Sequence, residues 1–356
     1  MGRLCESCFD QLSGLLAVIC YTYAVDKHKL GIIGCGWFAP FHVKALRQLS
    51  DRVEVVWAAD PNPARAASVA ASIGARPLVD YRAGLGDVDT VDILVPHHLH
   101  HPIAVDCLNA GKHVLLEKPI ARTLNEADDI IAAADRSVKT FMVALPHRYR
   151  PSIKLLKQAI ESGGYGRLFM LDAMMDESLQ AYTTVDWISH KATLGGGVFF
   201  SSSPHMLDPM LWIGGDVIPG SCAMVGTHGG VSMEGEDSAF SVFKFSSGVI
   251  ATTRHTWASP RSQTWYTLIA TCERGRLTLT TTPLGDLASE GAHCAWRTRL
   301  SASGANDQVL LDNDEGLDII YEMTHFFDCI DTNTIPATDG RTARQIIELV
   351  LSAYAK

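Results

Sequence analysis

The chain has 356 residues, 47% of them apolar and 19% charged, with a formal net charge of −9. That length fits two domains with ample core, and an acidic chain without a Lys/Arg-rich stripe argues against nucleic acid as a partner. The nine cysteines are scattered; only Cys5 and Cys8 stand at ligand spacing, with no second pair, so no metal site is expected and reduced thiols in a cytoplasmic compartment are.

Leu12 to Val25 is apolar but too short to span a bilayer, so no membrane partner is expected. As a signal-peptide core it is weakened by Glu6 and Asp10 beside Arg3. Residues 1–28 are therefore read as an extension of uncertain order, with the fold starting near Lys29.

From Lys29 strands and helices alternate. "KLGIIG" is a short apolar strand, followed by glycines and a helical pattern from Phe41 to Leu49. Val53 to Asp60 is a second strand, and "PARAASVAASIG" a helix stopped by Gly74. Val91 to Pro96 is a strand, and "HPIAVDCLNAG" a helix stopped by Gly111. "HVLLEKP" is the next strand. Thr123 with Glu126 three residues on forms a capping box for another helix, and Thr140 to Leu145 is a further strand. This alternation means a doubly wound parallel sheet. After Pro151 the texture changes. A helix from Ser152 to Ser162 leads into "GRLFMLDAMM", then runs of period-two alternation with short turns indicate an antiparallel sheet with one covered face. Leu317 to Ile330 and Arg341 to Tyr354 have helical periodicity.

Gly34-x-Gly36-x-x-Ala39 follows the first strand and precedes a helix, where glycines let the backbone approach a pyrophosphate. A dinucleotide is the expected ligand, with Trp37 and Phe38 beside it. Asp60 ends the second strand, where a carboxylate can hold ribose hydroxyls and repel a 2′-phosphate; NAD is favoured over NADP. Asp60 also suits an N-cap before Pro61. "PHHLHHP" reads as a loop at the carboxyl end of a strand, so Pro96, His98 and His100 are expected to line the cofactor crevice.

"EKP" at the end of a buried strand is the sharpest signal. Lys118 there is a poor structural residue and a good electrophile for an oxygen gaining negative charge. Glu117 would position or neutralise it, and Pro119 fixes the backbone, with a cis bond as one option. In "GGGVFFSSSPHMLD" the glycines suggest close backbone packing, and His205 titrates near neutrality and can take an alcohol proton.

With these stretches and "VALPHRYRP", the sequence from about Lys29 to Tyr354 resembles the glucose-fructose oxidoreductase / inositol dehydrogenase / rhizopine catabolism (Gfo/Idh/MocA) family. The resemblance implies an α/β protein. Its N-terminal NAD(P)-binding Rossmann domain is expected over 29–148. A C-terminal α+β domain over 149–356 would carry a large, mostly antiparallel open sheet that builds homodimers or homotetramers. It implies hydride transfer between nicotinamide and a secondary hydroxyl of a sugar or cyclitol, with Lys118 and His205 catalytic. It places Arg148, Trp187, Ser201 and Asp208 near the substrate. The family motif has an acid where this chain has Ser201 and a glycine where it has Ser203; a serine carries no charge to tune the His–Lys pair. Ile188 follows Trp187 where the family often has arginine, and His190 or Lys191 could substitute. Two other readings stay open: glycoside cleavage through transient oxidation at C3, and a non-catalytic regulator that senses dinucleotide.

Overall fold

The computed structural model describes residues 26–178, 186–259, 266–285, 296–304, 307–315 and 319–355. The expectations placed on Cys5, Cys8 and the Leu12–Val25 run lie outside these residues.

The first half follows the expected alternation, with the short β3 added to it: β1 (His28–Ile33), α1 (Ala39–Gln48), β2 (Val53–Ala59), α2 (Pro63–Ile73), β3 (Arg76–Leu78), β4 (Thr90–Ile93), α3 (His97–Asn109), β5 (His113–Glu117), α4 (Leu124–Ser137) and β6 (Phe141–Ala144). The strands are all parallel, in the order β3-β2-β1-β4-β5-β6. Successive strand residues feed opposite faces. Ile33, Val91, Val114 and Leu116 join one core, whereas Leu30, Ile32, Leu115 and Met142 join the other. The order reverses between β1 and β4, which opens a crevice at their carboxyl ends.

Local signals act where they were read, with one exception. Gly74 adopts φ 73° behind α2, and Thr123 Oγ1 accepts the Glu126 amide at 3.2 Å ahead of α4. The cap of α2 is Asn62, whose Oδ1 accepts the Ala64 and Arg65 amides; Asp60 is not the cap.

Beyond a 3-10 turn at Pro146–Tyr149 come α5 (Pro151–Glu161) and β7 (Leu168–Asp176). A second 3-10 turn (Asp186–Ser189), α6 (Lys191–Leu194) and α7 (Val198–Gly214) follow. Then come β8 (Ala223–Thr227), β9 (Ser238–Lys244), β10 (Ile250–Thr256), β11 (Tyr266–Cys272), β12 (Gly275–Pro283), β13 (Trp296–Gly304) and β14 (Gln308–Glu315). They form an eight-stranded open sheet ordered β14-β13-β12-β11-β7-β10-β9-β8. Only β7 and β10 run parallel, so the sheet is mostly antiparallel as expected. On β9, Ala239, Ser241 and Phe243 face inward, while Phe240 and Val242 point out.

The helix α7 was not anticipated, because Pro204 and Pro209 lie inside it. Its glycine-rich entry is as tight as the sequence suggested. A Cβ on Gly197 would lie 2.3 Å from the Glu236 carbonyl oxygen. The chain ends with α8 (Ile319–Thr332) and α9 (Gly340–Tyr354). α8 returns to the first sheet, where Met323, Phe326 and Phe327 share a core with Leu30 and Leu46. Among the described residues no helix is long and apolar enough to cross a membrane.

Candidate active site

One cleft of about 1270 Å³ runs between the two sheets. Its first end is the crevice at β1. Gly34 sits at φ +99°, and a Cβ there would meet the Leu94 carbonyl oxygen at 2.5 Å, so only glycine is tolerated. A Cβ on Gly36 would meet nothing within 4 Å, which leaves an open cradle in front of α1, a helix without a side-chain cap. Asp60 lines the same space, its carboxylate accepting the Cys35 amide at 2.9 Å and the Asn62 amide at 2.8 Å. Trp37, Phe38 and Pro96 also line it. This cradle fits a dinucleotide: open backbone for the pyrophosphate and an acid for the ribose.

The histidine run differs from its reading as a loop. Pro96 is the N-cap of α3, and the helix turns His97 into the cleft, with Nδ1 2.8 Å from the Leu194 carbonyl. His98 and His100 do not line the cleft. His100 is buried between the carbonyls of Pro119 at 2.7 Å and Val95 at 2.9 Å, where it braces the EKP turn.

That turn has a cis Lys118–Pro119 bond. Glu117 accepts the Lys118 amide at 3.1 Å and meets His42 Nε2 at 3.3 Å. His42, on α1, is fully buried with Nδ1 2.8 Å from Asp92. Burial alone would lower its pKa; Asp92 and Glu117 override that and raise it to about 10, so the imidazole is a buried cation behind the turn. The sequence reading missed His42. Its signal was a histidine on the first helix facing two strand-borne acids, which only the sheet order brings together.

Lys118 Nζ reaches across the cleft and donates to the Ser201 carbonyl oxygen on α7 at 2.9 Å. Burial lowers the ammonium pKa below its usual value, with Glu117 and Glu177 opposing the fall. One turn along α7, His205 lines the same cleft. Burial, then Lys118, His147 and His255, hold its pKa well below the usual value, so the ring is neutral at pH 7. Its plane is fixed by stacking on His147 at 5.0 Å, and His147 stacks in turn on Tyr266 at 4.8 Å. Pro209 lacks the N–H that would bond the His205 carbonyl four residues back, and that carbonyl takes a hydrogen bond from the His147 ring instead.

Of the residues expected at the substrate, Trp187 and Ser201 line the cleft, Trp187 packing on His97 at 4.8 Å. Arg148 and Asp208 do not. They form a buried ion pair with each other, Arg148 Nε to Asp208 Oδ2 at 2.8 Å, and Arg148 also donates to the Ala337 carbonyl. The same "HRYRP" stretch puts His147 and Arg150 at the cleft instead, because the 3-10 turn points these two side chains toward it. Arg150 is held by Glu315 at 2.8 Å and Thr298 at 2.8 Å. A carboxylate that the sequence reading passed over, Glu177 just beyond β7, also lines the cleft. Ser202 Oγ donates to it at 2.6 Å and Trp257 Nε1 at 3.1 Å.

Residues 28–145 match the family model described as the oxidoreductase family, NAD-binding Rossmann fold, and residues 153–278 match the GFO/IDH/MocA C-terminal domain. The 1-carboxy-3-chloro-3,4-dihydroxycyclo hexa-1,5-diene dehydrogenase of Comamonas testosteroni is 30% identical over 77% of this chain and 70% of its own length. The chain belongs to the Gfo/Idh/MocA oxidoreductase family. Levoglucosan dehydrogenase of Pseudarthrobacter phenanthrenivorans is 33% identical, over 44% of this chain and 42% of that enzyme. The match thus spans less than half of that relative. Among solved structures, the WlbA dehydrogenase of Bordetella pertussis, in complex with NADH and UDP-GlcNAcA, superposes with a TM-score of 0.75 at 23% identity. It covers 92% of this chain and 96% of that one. At that identity the likeness speaks for the Gfo/Idh/MocA fold alone.

Proposed function

We propose that this Gfo/Idh/MocA protein is an NAD(P)-dependent dehydrogenase or reductase acting on a secondary hydroxyl or ketone of a sugar, cyclitol or related polyol. The observation that carries the reading is that Lys118, just beyond β5, and His205, on α7, line one cleft continuous with the Gly34–Asp60 cradle. Levoglucosan, inositol and UDP-N-acetylglucosamine dehydrogenases among its relatives support the substrate class.

Gly34, Gly36 and Asp60 would hold the cofactor, and the Asp60 carboxylate favours NAD. A bound nicotinamide would supply the hydride acceptor or donor. His205, neutral by burial, accepts the hydroxyl proton. Lys118, tethered to Ser201, steadies the oxygen as its charge grows. Trp187 and His97 wall the cleft and exclude water. We assign the cofactor domain to 29–148 and the substrate and assembly domain to 149–356. Exposed Val225, Phe240, Val242 and Ile250 on the second sheet support a homodimer or homotetramer through that face. The buried cysteines Cys35, Cys107, Cys272 and Cys329 are thiols, which supports a reducing, cytoplasmic setting.

The test is a panel of polyols, sugars and glycosides with each cofactor, read at the NADH absorbance band. Net NADH production supports the dehydrogenase. Glycoside cleavage without net NADH would move the assignment to transient oxidation, and cofactor binding with no turnover on any substrate to a regulator.

A further inference from the structure

Position 201 carries no charge, yet the cleft holds a carboxylate. Glu177 follows β7 directly, is 7% exposed, and lines the cleft with Lys118 and His205. Its seat is built: Ser202 Oγ and Trp257 Nε1 both donate to Oε2, and Trp257 also reaches Ser202 Oγ at 3.0 Å. Among the described residues both donors go to that single oxygen, which leaves Oε1 for a ligand in the cleft.

A purely structural brace for Ser202 and Trp257 does not need a charge. A glutamine would accept the same two hydrogen bonds through its amide oxygen, without the desolvation that a buried carboxylate suffers. A costly charge that faces a cleft is a mark of function.

We propose that Glu177 is the carboxylate of this site, facing the same pocket as Lys118 and His205 from the end of β7 and supplying the negative charge that Ser201 lacks. This rests on the dehydrogenase reading above. Through Oε1 it accepts a hydrogen bond from a substrate hydroxyl, and through its charge it keeps Lys118 an ammonium.

The groups that face Lys118 are few. Glu117 comes from β5, Glu177 from beyond β7, His97 and His100 from α3, His147 from the 3-10 turn and His205 from α7. Burial holds all four histidines toward their neutral form, so any local negative charge comes from the two carboxylates; burial raises the Glu177 carboxyl, and Ser202, Lys118 and Trp257 oppose that rise. Glu117 is already shared with the cationic His42. Glu117 acts on the amine more strongly, and Glu177, seated by the neutral donors Ser202 and Trp257, adds the second pull.

The experiment labels the full-length protein with pulses of acetic anhydride across pH and quantifies acetylated Lys118 by peptide mass spectrometry. Glu177→Gln, which keeps both seat hydrogen bonds, should shift the half-reactivity point down by about one pH unit, or about tenfold in reactivity below it. Glu177→Asp, which keeps the charge, should stay near the wild-type curve. Coincident wild-type and Gln curves overturn the proposal, as do equal shifts in Gln and Asp, which would mark a merely structural role. The labelling needs no turnover. A chain that oxidises no polyol but shows the shift loses the dehydrogenase reading and keeps the effect of Glu177 on Lys118. A working dehydrogenase with coincident curves loses Glu177.

Discussion

Lys118 Nζ and the backbone carbonyl of Ser201 lie 2.9 Å apart, joining the end of a strand in the first sheet to a helix packed on the second. The ammonium is held by a backbone oxygen that no substitution at 201 removes. Its position therefore depends on the path of α7 and not on the side chain there.

Lys118→Met removes the amine while keeping a side chain of similar length. Turnover on a panel substrate should fall about a hundred- to a thousand-fold. The affinity for NADH, read by fluorescence, should stay nearly unchanged, because the cradle residues Gly34, Gly36 and Asp60 are untouched. Equal turnover would remove Lys118 from the mechanism.

The two glycines of the cradle should separate stability from binding. Gly34→Ala forces a Cβ against the Leu94 carbonyl at a positive φ, so thermal stability and cofactor binding should both suffer. Gly36→Ala meets no protein atom within 4 Å, so the melting temperature should hold while NADH affinity falls. Calorimetry and NADH titration on the pair check this.

The pH profile of kcat/KM should be displaced to acid at both limbs. His205 acts as base only when neutral, and burial moves its protonation well below 6.5, so the acid limb lies below that pH. Lys118 acts only when charged, and its pKa is lowered from 10.5, so the alkaline limb falls earlier than for a free lysine. A profile with its acid limb at or above pH 6.5 would contradict the assignment of His205.

Stability should decline in acid for a related reason. Burial lowers His255 to about 3, and burial with Lys139 lowers His113 to about 4, while His97, His147 and His205 are also lowered. The unfolded chain binds these protons more readily than the folded one. The stabilisation is therefore complete above about 6.5 and is lost as pH falls toward 4. His42 has the opposite sign. Raised to about 10, it stabilises most below about 6.5 and loses its contribution as pH rises through 10. Urea unfolding from pH 8 down to pH 4 should show the falling limb.

Asp208→Asn breaks the buried ion pair with Arg148 and leaves the guanidinium without its carboxylate. Unfolding free energy should drop by about 3–5 kcal/mol. Because neither residue lines the cleft, NADH affinity of the folded fraction should be retained. An unchanged denaturation midpoint would refute the structural role.

What could be read from the sequence was what local chemistry encodes. The first-sheet alternation was legible because strand and helix periods, the Thr123 cap and the Gly74 and Gly111 stops all act within a few residues. β3, β8, β13 and β14 were missed: β3 has only three residues, β8 is largely exposed, β14 does not alternate, and the alternation of β13 rests on small or polar residues such as Thr298 and Ala302 rather than on a row of large apolar ones. α7 was missed because two prolines usually end a helix; here His147 supplies one lost hydrogen bond from another element.

The sequence by itself determined the family, the parallel first sheet, the glycine cradle and the presence of Lys118 and His205, since each is written in neighbouring residues. Tertiary structure alone decided which side chains share the cleft. It turned His97 into the cleft and kept His98 off it, paired Arg148 with Asp208, and brought Glu177 to Trp257, which lies 80 residues away. Such groupings follow from strand order and helix rotation, and no periodicity in a single chain segment reports a contact made across that distance.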